Sequence, residues 1–167
     1  MDASNTVESV PFYQIPNNKT FLLEICEDKI LMNFDFAQSV LNIIYLPEFR
    51  KNENNIYGYE IDYNLKTDYE FVGYLVDQVG GITLNIDDET LRYTGTQITE
   101  MLEFSPITQE IKYEILKNLI YAIGITGFTK ENLLYIVENC ESELKFNEGI
   151  LFLDYIADCC KFPRFIN

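Results

Sequence analysis

Two carboxylates at alternate positions of one strand can divide acid and base work between them. Glu60 and Asp62 offer that spacing within the stretch IYGYEIDY. In an extended chain they share a face about 7 Å apart, a separation that suits glycoside hydrolysis or a bound Mg²⁺. Any acidic strand generates such pairs, so by itself the spacing predicts solvated carboxylates. Asp87-Asp88-Glu89 could hold a hard cation, but the Asp-x-Asp-x-Asp-Gly order of a calcium loop is missing and a tight turn fits better. Asp154 and Asp158, four apart on a predicted helix, imitate a metal pair without the His or second carboxylate motif such a site needs. Gly80-Gly81 follows an apolar run, yet neither GxGxxG nor GxxxxGK[ST] occurs. The adjacent Cys159 and Cys160 do not form a prenylation box, which would place Cys fourth from the end. With Cys26 and Cys140 they read as reduced, mostly buried thiols.

Composition removes more chemistry. The 167 residues include no His, which takes away the commonest general base, the Ser-His-Asp and Cys-His nucleophile systems, and His-ligated zinc or haem. Acidic residues number 27 against 12 basic, a net charge of −15, so direct binding to nucleic acid or to an anionic membrane is disfavoured. Apolar residues make up 47% of the chain, too many for a disordered acidic tail and enough for a real core. No apolar run reaches the roughly 20 residues of a bilayer span, and the polar start Met1 to Ser9 lacks the order of a signal peptide. These readings predict a cytoplasmic protein that is not an enzyme and needs no cofactor or metal.

The elements that would position such residues can be read in part. Residues 1–9 form a loose start. FLLEIC (21–26) and ILMNF (30–34) make a hairpin. Asp35, with Gln38 at capping-box spacing, opens a helix carrying Val40, Leu41, Ile43 and Ile44 and stopped by Pro47. Glu48 to Asn55 is a polar surface loop. Ile56 to Tyr63 is one strand, with Tyr57, Tyr59, Ile61 and Tyr63 on one side. Thr67 with Glu70 can cap a helix over 69–79 that ends at Gly80-Gly81, although the same run also fits a strand. A hairpin follows over 82–94. Ser105-Pro106 caps a helix with the stripe Ile107, Ile111, Ile115, Leu119 and Ile123. Thr129 caps a helix over 130–140, and Asn147 one over 150–160 closed by Pro163. The expected fold is a single α+β domain over 1–167, with a mixed α/β half at 10–104 and a helical half at 105–167 packed on the sheet.

The charge is uneven. From Glu53 to Glu103 there are eleven acids and two bases, and six tyrosines fall in the same stretch. Tyrosine with carboxylate suits an interface with a basic protein, ring area being buried while acids pair with Lys or Arg. The candidate partner-binding residues are Tyr57, Tyr59, Glu60, Asp62, Tyr63, Asp68, Tyr69, Glu70, Asp87, Asp88 and Glu89. With IYGYEIDY and LNIDDE at its centre, the chain resembles in overall make-up the bacterial toxin-immunity proteins of contact-dependent growth inhibition. The resemblance implies a cytoplasmic inhibitor that covers the positive surface of a nuclease toxin. A nucleic-acid mimic acting against host defence, a carboxylate enzyme and a regulatory or scaffold subunit are the alternatives.

Overall fold

A computed structural model describes residues 16–46, 55, 56 and 58–166. The first hairpin forms as predicted, from β1 (Asn18–Ile25) and β2 (Asp28–Asp35). The stretch predicted as a helix after Asp35 is instead a turn and a third strand, β3 (Val40–Leu46), antiparallel to β2. The Gln38 amide does donate to Asp35 Oδ1 at 3.0 Å, but Ser39 at φ +56° breaks any helical start. Leu41 to Ile44 are all buried because both faces of this strand are covered, which erases the alternation that marks a half-exposed strand.

The predicted strand Ile56 to Tyr63 is also corrected. β4 (Asn55–Ile56) and β5 (Tyr59–Glu60) make a two-residue ladder around Gly58 at φ +85°, and β6 (Tyr63–Thr67) starts afresh. A glycine in the left-handed region reverses a chain that an alternation count alone carries straight through. Most of the predicted polar loop, Glu48 to Asn54, lies outside the described residues, as does Tyr57.

The ambiguous run resolves as helix α1 (Tyr69–Gln78), capped by Asp68 rather than Thr67, with Gly80 and Gly81 at positive φ after it. Hairpin β7 (Ile82–Ile86) and β8 (Glu89–Tyr93) turns through Asp87 and Asp88 at φ +54° and +64°, the signature of a type I′ turn. Helix α2 (Gly95–Phe104), unforeseen in the sequence, follows a Thr94/Gln97 capping box. Helix α3 (Gln109–Thr126) is capped by Thr108, not Ser105, which instead ends α2. Thr129 caps α4 (Lys130–Asn139) as predicted. The last helix, α5 (Phe146–Cys160), starts one residue before Asn147 and has no side-chain cap. Between and after these helices lie two more strands, β9 (Glu141–Ser142) and β10 (Pro163–Ile166).

The fold is α+β, as expected. One mixed sheet has the order β9-β6-β1-β2-β3-β10, with β1/β6 and β3/β10 parallel. Strands β9 and β10 come from the part of the chain predicted to be only helical, so both halves contribute to one sheet. Alternate residues divide its faces. Phe21, Ile30, Phe34, Leu41, Ile43 and Leu65 point to the side where the helices pack. Leu22, Leu31 and Ile44 form a separate cluster on the other side, with Tyr59 and Ile61 against it. That second face also carries a buried polar row. Asn33 Nδ2 donates to Thr20 Oγ1 (2.8 Å), Asn42 Nδ2 to Asn33 Oδ1 (3.2 Å), and Arg164 Nε to Asn42 Oδ1 (2.9 Å). In the helical layer α1 and α2 cross closely: a Cβ on Gly95 would lie 2.1 Å from the Gly73 carbonyl oxygen, so no larger residue fits that crossing.

Candidate functional site

The ten described residues among the eleven singled out by charge and aromatic content do not form one surface. Among those described, Tyr59 packs on the Leu22–Leu31–Ile44 side of the sheet. Glu60 is exposed nearby. Asp62 is tied to the strand beside it: its Oδ2 accepts from the Thr20 amide at 2.8 Å, and its own amide donates to Thr20 O. Tyr63 points the opposite way, buried and stacked on Phe21 at 5.1 Å. Asp68 caps α1, Tyr69 faces the helix side, and Glu70 is exposed in the first turn. Asp87 and Asp88 are the hairpin turn, and Glu89 opens β8. The left-handed backbone at Asp87 and Asp88 accounts for those two residues, since Asp tolerates it better than most side chains.

What the structure assembles instead is an apolar cavity of about 160 Å³ between the sheet and the helical layer. Each of the described helices contributes to its wall, with Phe71 and Leu75 from α1, Leu102 from α2, Leu116 and Ile120 from α3, Leu133 from α4 and Ile156 from α5. The floor is the helix-facing row of the sheet, including Leu23, Ile30, Met32 and Phe34. Along α3 the lining runs from Lys112 to Ile123, about 16 Å at the rise of an α-helix.

Polar groups gather at one end. Asp28 at the start of β2, Tyr45 near the end of β3, Tyr69 at the start of α1 and Lys112 in the first turns of α3 all line the cavity there. Lys112 Nζ lies 3.1 Å from Asp28 Oδ2 in a pair that is mostly buried. Tyr45 Oη donates to Gln109 Oε1 at 2.6 Å. Burial pulls the Lys112 ammonium down, but its hydrogen bond and ion pair with Asp28, helped by Tyr69, outweigh this, and the pKa rises. Burial and then the Asp28 carboxylate push the Tyr45 phenol well above its usual range. Lys112 is therefore charged and Tyr45 neutral across the physiological range. At the far end, burial pushes the Cys160 thiol up to about 12, which makes this lining cysteine inert. All four cysteines are free.

Sequence reasoning missed this site because its lining is ordinary core-type residues spread from position 21 to position 160. The one available signal was the large apolar and aromatic content.

Among the described residues no group of three or more His, Cys, Asp or Glu could hold a metal ion, and no helix is long and apolar enough to cross a membrane. No protein-family model and no curated protein matches the chain. Solved structures do. Lin1025 protein from Listeria innocua is similar over 90% of this chain and 82% of its own, at 15% identity and a TM-score of 0.64. A transcriptional regulator from Enterococcus faecalis is similar over 96% and 78%, at 11% identity and a TM-score of 0.61. TagT bound to LI-WTA is similar over 98% and 81%, at 11% identity and a TM-score of 0.61. At these identities the likeness is one of fold.

These matches overturn the expectation of an acidic immunity protein that neutralises a toxin. They join the fold to transcription regulators and TagT, not to toxin inhibitors. The dispersal of the acidic and tyrosine residues over both faces of the sheet agrees. Their composition is real, but composition along the chain does not specify a contiguous surface.

Proposed function

We propose that this domain binds an amphipathic small molecule, its apolar chain lying in the cavity and its polar end at the Asp28, Tyr45, Tyr69 and Lys112 rim. The observation that carries this reading is the cavity itself. An enclosed apolar void left empty destabilises by about 24 cal/mol per Å³, so leaving about 160 Å³ empty would cost up to about 4 kcal/mol, and less where the cavity opens to solvent. That is a large fraction of the roughly 5–15 kcal/mol by which domains are stable. A ligand occupying the void restores the lost contacts. The polar quartet at one end fits the usual pattern of an apolar site with a few orienting polar groups. The shared fold adds support, since TagT has been solved bound to LI-WTA. The regulator matches support no second reading, because a net charge of −15 opposes contact with phosphate backbones.

The test is solvent extraction of the purified protein with mass spectrometry of the extract, together with titration of a neutral alkyl alcohol followed by thermal unfolding. Saturable stabilisation, lost when Leu119→Trp fills the cavity, is the expected outcome. Absence of any saturable effect in the unsubstituted protein rejects the reading.

A further inference from the structure

The polar end of the cavity carries charges but no net charge. Asp28 and Lys112 are the only charged residues among its described lining, and they face each other at 3.1 Å. Folding makes this pair from the start of β2 and the first turns of α3, 84 residues later in the chain. The Asp28 side chain is 13% exposed and that of Lys112 23%, so the pair is partly open to solvent as well as to the cavity. The phenols beside it, Tyr45 and Tyr69, are held neutral by burial. Gln109, which accepts from Tyr45, is uncharged too. Every other described lining residue is apolar or, at Cys160, a neutral thiol.

What such an end accepts follows from the cost of taking charge out of water. An ionised head group of either sign loses hydration there and meets a dipole, whose two charges act on it in opposite senses. With no uncompensated counter-charge in the lining, that loss is not recovered. A hydroxyl or amide loses far less on leaving water, and it donates and accepts at once. The pair can answer both ways. An ammonium has three donors and a carboxylate accepts several hydrogen bonds, so their contact with each other leaves capacity on both. The volume bounds the apolar part. About 160 Å³ is close to the engineered void of about 150 Å³ that takes up benzene, which is the scale of one short chain. Resting on the cavity reading above, we infer that the ligand is a short single-chain amphiphile with an uncharged head group, a hydroxyl or amide, hydrogen-bonded to the Asp28–Lys112 pair.

The experiment titrates octanol, octyltrimethylammonium and octyl sulfate calorimetrically, below their micellar concentrations. Salt is held at about 0.15 M, where the diffuse negative charge of the chain is screened beyond about 8 Å. Octanol should bind the unsubstituted chain at least about tenfold tighter than either ion, and the two ions should lie within about threefold of each other. Lys112→Met leaves the carboxylate alone and should raise the ammonium-to-sulfate affinity ratio about tenfold, while Asp28→Asn leaves the ammonium alone and should lower it about as much. Leu119→Trp and, separately, Leu116→Trp fill the cavity, and whichever folds should lose saturable binding of all three probes. Either ion binding the unsubstituted chain as tightly as octanol overturns the inference but leaves the cavity reading standing. So does a ratio that moves less than about threefold in the folded single variants, since the head group then lies away from the pair. Where one single variant does not fold, the other decides; where neither folds, the order of the three probes on the unsubstituted chain decides. Failure of octanol to bind the unsubstituted chain overturns the cavity reading itself, as does undiminished octanol binding by a folded filled variant.

Discussion

On one side of the six-stranded sheet, Phe21, Ile30, Phe34 and Leu41 meet five helices across an apolar cavity. On the other, Thr20, Asn33 and Asn42 are buried and fixed to one another atom by atom, with Leu22, Leu31 and Ile44 packed beside them. The two faces are cut from the same strands, one residue out of phase. The polar row defines a unique register, because a slip of one residue would turn its amides into the apolar side and leave them unpaired. The apolar side has no such directional constraint and can leave space. One face therefore specifies the sheet, and the other is free to hold something.

The largest effect expected from breaking this contrast is at Asn33. Asn33→Ala strips partners from buried Thr20 and Asn42, and two orphaned polar groups cost about 3 kcal/mol together. Urea unfolding will show this as a lower midpoint with an unchanged slope. A loss below about 1 kcal/mol would mean that the row does not hold the sheet. Next comes a matched pair of insertions. Leu31→Phe on the tightly packed side overfills a site with no exposed surface and should cost about 2 kcal/mol. Leu116→Phe, in the cavity wall, should be neutral or stabilising by up to about 1 kcal/mol. Equal losses at both positions would erase the distinction between the faces.

A smaller effect is expected from pH. Burial raises Cys159 to about 11 and Cys160 to about 12, from an ordinary 9.0. A folded-state pKa above the unfolded value favours the neutral thiol, so this stability is complete below about pH 9 and is lost as pH rises through the folded values. Both cysteines belong to the helix-side core. The unfolding midpoint should therefore decline from pH 9 to 11, and less so in Cys160→Ala. The smallest effect is at Glu60, whose side chain is exposed. Glu60→Gln should leave stability within about 0.5 kcal/mol.

Several elements were legible from local chemistry. The first hairpin, the Asp87-Asp88 turn and the Thr129 cap each depend on residues within a few positions of one another. β3 was not legible. VLNIIYL is a continuous apolar run whose identity as strand depends on neighbours on both sides, β2 and β10. Helix α2 was missed for a related reason. GTQITEMLEF buries only Gly95 and Ile98 thoroughly, and its place is set by the glycine crossing with α1 rather than by a strong stripe. None of the cavity was legible, because a void is the space left between side chains and has no residue type of its own. The acidic and tyrosine stretch shows the reverse. Its composition was conspicuous, yet the period-two alternation of strands and the Gly58 reversal sent its members to opposite faces.

By itself the sequence determined the chemistry that could not occur without His, the acidity, the abundance of core-forming residues and the local turns and caps. Those properties are sums or short-range contacts, insensitive to how distant segments meet. Only the tertiary structure decided which strands are central, where the glycines let two helices touch, and that the helices stand off the sheet far enough to leave an apolar cavity with Asp28, Tyr45, Tyr69 and Lys112 at one end. Those are outcomes of long-range packing, where what matters is the distance between residues far apart in the chain.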